Sequence, residues 1–313
     1  MTSALVLAAW VALAPAQAPA PPVQAAATPA VRRDAVILSA VENMYSGPDT
    51  ASAVVSQALL GQVVGIVEEK DGFMRIETPD HYRGWVPVAA LFRYPDPAAP
   101  RYAKSGAVAD VTALMANLYR DPSVTRARPK GRAPLGTRLE ASTTTVLPPG
   151  ADATRWIAVR LPDGEGAYVQ QGDVRIGEAA AARGAGNGGD RVATARRFLG
   201  VPYLWGGMSS QGVDCSGLVS RVYAVNGIDL LRDADIQFTD PRGQAVERSA
   251  LQPGDLLFFG TSKITHVGMY VGEGRFISAT THETPVVRED SLDDPYWAPL
   301  FRGARRMPPV ASR

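Results

Sequence analysis

From Asp34 to about Tyr94 the chain runs in short β-branched and apolar segments, AVILSAV, QVVGIVEE, FMRIETP and GWVPVAAL, separated by turn formers such as Gly47-Pro48 and Asp71-Gly72. Runs of this length bounded by Gly, Pro and Asp predict strands and tight turns, the pattern of a small barrel. A second stretch of the same character, from about Ala107 to Ile176, reads VTALMANLYRDPS, TRLEASTT, TRWIAVRLPDG and GAYVQQGDV. Both stretches follow one order: a first strand, a Tyr ahead of a Pro-containing turn (Tyr45, Tyr119), a central strand and a closing Gly-aromatic strand. That order predicts a divergent tandem repeat.

Beyond a Gly-rich joint, GAGNGGD, the periodicity changes. Asp190 is placed to cap a helix through RVATARRFLG, whose Val192, Ala195, Phe198 and Leu199 share one face; Gly200 is its stop before Pro202. A second helix is predicted in DCSGLVSRVYAVNG, with Leu218, Val219, Val222 and Tyr223 as its apolar stripe and Asn226-Gly227 as its end. DLLFFG, THVGMYVG and RFISAT then read as strands. Helix, helix and antiparallel strands in this order favour an α+β layout over alternating β-α-β units. The expected organisation is a leader over 1–33, β-rich units over 34–97 and 103–178, and an α+β unit over 189–308.

Length and composition agree with several folded units: 313 residues, 46% hydrophobic and 20% charged. A net charge of +1 supplies no excess of Lys and Arg for tracking phosphates, so nucleic acid is not expected as a partner. The opening MTSALVLAAWVALAPAQAPAPP is an apolar run followed by an A-x-A-like site and Ala/Pro-rich residues, although no Lys or Arg precedes the run. It predicts an export signal and a location in the periplasm or cell envelope. The run is shorter than the roughly 20 residues of a bilayer span, and no integral span is expected.

The chain has one cysteine and three histidines. Their scatter lacks ligand spacing, so neither a metal nor another cofactor is expected. An unpaired thiol in an exported protein is either a small buried hydrophobe or a working group. Cys215 falls where the loop PYLWGGMSSQGVD meets the second predicted helix. Unpaired N–H groups and the positive end of the helix dipole there favour thiolate, which predicts a lowered pKa and an activated nucleophile. His266, at the start of the strand THVGMYVG, is the natural base: an imidazole can take the thiol proton and return it to a leaving amine.

Three blocks in order, PYLWGGMSSQGVDCSGLVSRVY, LQPGDLLFFG and THVGMYVGEGRFISA, resemble the NlpC-type (NlpC/p60) cell-wall cysteine peptidases over most of residues 190–307. The two β-rich stretches resemble bacterial SH3-like modules, GWVPVAAL most closely. The resemblance implies a papain-like peptidase domain behind two small SH3-like β-barrels. The architecture is similar to that of γ-D-glutamyl-L-diamino acid endopeptidases, whose substrates are peptidoglycan stem peptides or muropeptides carrying a free N-terminal L-Ala. Motif by motif, it implies Cys215 as nucleophile, His266 as general base and Tyr203 as an active-site hydroxyl that helps polarise the carbonyl. Asp214 and Ser216 match positions that hold the substrate amine. Asp233 suits the same end or a helix cap, Trp205 of the PYLWGG block is a further substrate-binding candidate, and Tyr82 either reaches the cleft from the first module or packs within its barrel.

The third catalytic position departs from the resemblance. Where a polar residue, most often His, follows the base in an F-I-H-A pattern, this chain reads Phe276-Ile277-Ser278-Ala279, and Ser278 takes the slot. A serine hydroxyl is shorter and fixes an imidazole less firmly. His282 is a substitute only if a tight turn at Thr280-Thr281 brings it back, because four strand residues span about 13 Å. The alternative to an active peptidase is therefore a degenerate, low-activity member that binds cell-wall peptide; an acyltransferase or amidase with the same dyad is a third reading, since a fold does not fix a reaction.

Overall fold

The computed structural model describes residues 35–96, 98–126, 128–142, 152, 154–181 and 188–308. The predicted export signal, the Ala/Pro-rich leader and the first four residues of the Gly-rich joint lie outside the described residues.

The first β-rich stretch forms β1 (Ala35–Ile37), β2 (Val41–Tyr45), β3 (Val54–Leu59), β4 (Val63–Lys70), β5 (Phe73–Glu77), β6 (Arg83–Pro87) and β7 (Leu91–Arg93). They pair in the order β3-β2-β6-β5-β4-β1-β7, antiparallel throughout. Alternation sends Met74 and Ile76 of β5 into a core with Ile37, Met44, Val64 and Val86. The β4–β5 turn is Asp71-Gly72, with φ of 49° and 79°; such two-residue hairpins need the left-handed region, which Gly and Asp tolerate.

The second stretch forms β8 (Ala107–Val111), β9 (Met115–Leu118), β10 (Gly131–Pro134), β11 (Arg138–Ala141), β12 (Trp156–Arg160), β13 (Gly166–Gln170) and β14 (Val174–Glu178). Five of these pair as β13-β12-β11-β8-β14, and β9 with β10 makes a separate hairpin. A Tyr119–Tyr168 bridge ties the end of the hairpin to β13.

The third region begins with α1 (Gly188–Arg196), the hairpin β15 (Met208–Ser209) and β16 (Gly212–Val213), α2 (Cys215–Val225) and α3 (Ala234–Thr239). There follow β17 (Gln244–Val246), β18 (Leu256–Gly260), β19 (Ile264–Gly272), β20 (Arg275–Thr280), β21 (Val286–Ser291) and β22 (Phe301–Arg306), in the order β17-β22-β18-β19-β20-β21. Helices first and an antiparallel sheet after is the expected α+β order. The sheet is covered on both faces, so β18 is buried at every position. Phe258, Val267, Met269 and Ile277 face the helices, whereas Leu257, Phe259 and Phe276 face Trp297.

Two local expectations at α1 are corrected. The helix starts at Gly188, so Asp190 sits in its first turn and not at the cap. Leu199 is 48% exposed, because α1 gives way after Arg196 to tighter i→i+3 turns that rotate residue 199 off the apolar face. Val192, Ala195 and Phe198 are buried as expected, as is the whole stripe of α2. Among the described residues no helix is long and apolar enough to cross a membrane.

Candidate active site

α2 begins where it does because Asp214 is a strong N-cap. Its backbone is extended (φ −93°, ψ −179°), and its Oδ1 accepts the Gly217 N–H at 2.7 Å. Cys215 is therefore the first helical residue, and its own N–H has no intrahelical acceptor. The helix ends at Asn226-Gly227, where Gly227 at φ 85° lets the Ile228 N–H fold back onto the Tyr223 carbonyl.

Across from α2, β19 pairs with β20 from Met269 onward, while the Val267 N–H turns to the Cys215 sulfur. That places the thiol against the residue that follows His266. Asp214 acts electrostatically on both groups, and Tyr203 feels both Cys215 and Asp214. Cys215, His266 and Tyr203 are thus brought to one place. Among the described residues no group of three His, Cys, Asp or Glu is arranged to hold a metal.

The protonation state differs from expectation. Burial pushes the Cys215 thiol up to about 12, with Asp214 adding to it; the N–H groups of Val267 and Ser216 and the Arg232 charge only partly oppose this. Burial takes His266 down to about 4, partly offset by Asp214. The helix terminus does not win against desolvation, and the resting pair is neutral thiol and neutral imidazole. Burial also raises Tyr203 well above the ordinary phenol range, so its hydroxyl stays a donor.

Asp214 and Ser216, expected at a substrate amine, have a different immediate task. Arg232, with a side chain 1% exposed, donates to Asp214 Oδ1 at 3.0 Å, Asp214 Oδ2 at 2.6 Å, Ser216 Oγ at 2.8 Å and Ser56 Oγ of β3 at 2.9 Å. Asp214 Oδ2 also accepts the Gly206 N–H at 2.9 Å. The carboxylate is saturated, and its charge is paired with the guanidinium. Burial works against the Arg232 charge, but Asp214 overrides it and holds the group above its usual range. Sequence reasoning missed Arg232, although a charge wedged between Leu231 and Asp233 in LLRDADIQ was a usable signal.

Asp233 sits at the start of α3 but makes no capping bond. Instead it accepts a hydrogen bond from the Tyr82 hydroxyl. Burial raises its carboxyl to about 6 in spite of Arg232 beside it. The Tyr82 ring packs against the first module's core and its hydroxyl reaches Asp233 at the start of α3. The interface is held further by the Met208 N–H, which donates to Gln57 Oε1 at 2.9 Å. Trp205 is 55% exposed and lines a groove of about 370 Å³ with Glu42, Asn43 and Gln57 of the first module and Gln211.

The third position is also corrected. Ser278 is fully buried, and neither its Oγ nor His266 Nε2 has a hydrogen-bond partner. No bond from Ser278 orients the imidazole. His282 does not replace it either, because its ring stacks on Tyr296 at 3.7 Å and meets the edge of Trp297 at 6.0 Å. Trp297 lies against both histidines, since His266 stacks on it at 4.8 Å.

A papain-like domain with a cysteine at a helix N-terminus and a histidine on the facing strand defines a class of cysteine peptidase folds. Within it, residues 200–306 match the NlpC/P60 family and residues 44–91 match the bacterial dipeptidyl-peptidase Sh3 domain. The chain is 32% identical over 271 residues to a gamma-D-glutamyl-L-lysine dipeptidyl-peptidase of Bacillus cereus, covering 83% of this chain and 77% of that one. It is 29% identical to dipeptidyl-peptidase 6 of Lysinibacillus sphaericus, covering 86% and 94%. A solved NlpC/P60 family protein from Bacillus cereus superimposes with a TM-score of 0.76 at 26% identity, over 87% of this chain and 99% of that one. The chain belongs to the NlpC/P60 family.

Proposed function

We propose that the protein is an exported cysteine peptidase that hydrolyses the bond between γ-D-glutamate and the diamino acid of peptidoglycan stem peptides or muropeptides bearing a free N-terminal L-Ala. The observation that carries this is the Cys215 thiol at the head of α2, held by the Val267 N–H beside His266 and Tyr203.

Starting from a neutral pair, His266 takes the thiol proton as sulfur attacks the γ-carbonyl carbon. The Cys215 N–H and the Tyr203 hydroxyl face the developing oxyanion as donors. The imidazolium then protonates the departing amine of the diamino acid, leaving an L-Ala-γ-D-glutamyl thioester. A water deprotonated by His266 releases the dipeptide.

Asp233 is the carboxylate left to meet the substrate ammonium, because Asp214 is already neutralised by Arg232. Tyr82 brings the first SH3-like module into that subsite, which would limit the cleft to short peptides with a free amine. Relatives named as gamma-D-glutamyl-L-lysine dipeptidyl-peptidase and gamma-DL-glutamyl hydrolase support a catalytic reading over a degenerate peptide-binding one.

Incubation with L-Ala-γ-D-Glu-meso-diaminopimelate, and with its L-Lys counterpart, should yield L-Ala-γ-D-Glu and free diamino acid by mass, and Cys215→Ala should abolish both. Binding of either peptide without release would refute the peptidase reading. Cell fractionation tests export, and a cytoplasmic pool alone would refute it.

A further inference from the structure

His266 must hold one orientation to take a proton from Cys215, yet Nε2, the ring nitrogen closed off from solvent, bonds nothing. The residue in the expected orienting slot, Ser278, is buried with its hydroxyl equally unpartnered. Two aromatic rings lie against the imidazole. The Trp297 indole lies over it with ring centroids 4.8 Å apart and planes at 28°, and Phe259 leans on it at 5.8 Å.

Trp297 is itself immobilised. It is 2% exposed and wedged between Phe259 at 5.1 Å, Phe276 at 5.3 Å and Tyr296 at 4.9 Å, all close to edge-on. Its backbone N–H is fixed to the Asp294 carbonyl at 3.0 Å. A rigid plate of this kind restricts the tilt of a ring stacked on it, as a hydrogen-bonding partner at Nε2 would.

We propose that Trp297 is the positioning residue of the Cys215–His266 pair, orienting His266 through the face of its indole in place of a polar third residue. Stacking has a second consequence that a packing role alone lacks. When His266 accepts the thiol proton it becomes a cation in an apolar pocket, and the negative face of the indole attracts that cation. The contact is therefore stronger after proton transfer than before it, which is the condition for accelerating the step and not merely stabilising the resting state. This inference rests on the nucleophile–base reading above.

The test uses the full chain with two readouts: peptide turnover, and the substrate-free rate at which iodoacetamide alkylates Cys215. Thermal unfolding confirms that each variant is folded. Trp297→Leu should lower kcat by about tenfold or more, the scale of a desolvated cation–aromatic contact, with KM within about twofold, and should slow alkylation in parallel. Trp297→Phe should recover part of both rates because it restores a π face. Ser278→Ala should cost no more than about twofold, since its hydroxyl bonds nothing. A folded Trp297→Leu protein with wild-type kcat and alkylation, or a Ser278→Ala loss exceeding that of Trp297→Phe, would overturn the proposal. Should Trp297→Leu fail to fold, the comparison of Trp297→Phe with Ser278→Ala still decides it. If His266→Ala alkylates as fast as wild type, the nucleophile–base pair fails as well; if it slows while Trp297→Leu does not, only this inference fails.

Discussion

Arg232→Met removes the buried cation paired with Asp214 while keeping most of the side-chain volume. Four hydrogen bonds disappear, two of them to Asp214 and one each to Ser216 and Ser56. Summing them as charge-assisted bonds overstates the loss, because they act on one network. The dominant cost is the Asp214 carboxylate, 8% exposed, left without its counter-charge. Breaking a buried pair in this way costs about 3–5 kcal/mol. An exposed pair such as Arg93–Glu69, 56% and 53% exposed, is worth about 1 kcal/mol at most. Urea unfolding of Arg232→Met, Arg93→Met and wild type should separate the two cases cleanly. Asp214→Asn combined with Arg232→Met should be more stable than the sum of the single losses, with a coupling of about 2 kcal/mol or more. Because Asp214 also starts α2, kcat should fall along with stability in the single Arg232 variant. A loss below about 1 kcal/mol in Arg232→Met would refute the claim that this pair is buried and mutually dependent.

Asp233 predicts a conflict between stability and binding. Its folded pKa, about 6, lies above the unfolded value, so the native state holds the proton more tightly and stability falls as pH rises through roughly 4 to 6. Asp233→Asn should therefore be more stable than wild type at pH 7, yet raise KM for peptides with a free amine by about tenfold, read by unfolding and initial rates; an unchanged KM would remove Asp233 from the subsite. With Asp233 ionised only above about pH 6 and His266 neutral above about 4, KM should climb below pH 6 while kcat persists to lower pH. Gly217→Ala should destabilise despite the better helix propensity of Ala, because a Cβ there would lie 2.1 Å from the Gly207 carbonyl oxygen; unfolding at a higher urea concentration than wild type would contradict this.

The strands of the β-rich units, the stripe of α2 and the meeting of Cys215 with His266 were legible because each is written locally, in alternation, in an N-cap and in residue types of limited use. Leu199 misled because helical periodicity does not mark where α1 tightens into a turn. Thiolate at Cys215 was a fair inference from the helix terminus alone. Its failure reflects desolvation, which depends on how much chain from distant segments covers the sulfur.

By itself the sequence determined the elements, their order and the candidate pair Cys215 and His266, because hydrogen bonding and side-chain period act over a few residues. Only the tertiary structure decided what surrounds that pair: Arg232 spanning Asp214 and Ser56 across 176 residues of chain, Tyr82 meeting Asp233, and Trp297 lying over His266. Charge compensation, burial and ring stacking depend on distances that sequence separation does not encode, so the protonation and orientation of the site emerge only once the chain is packed.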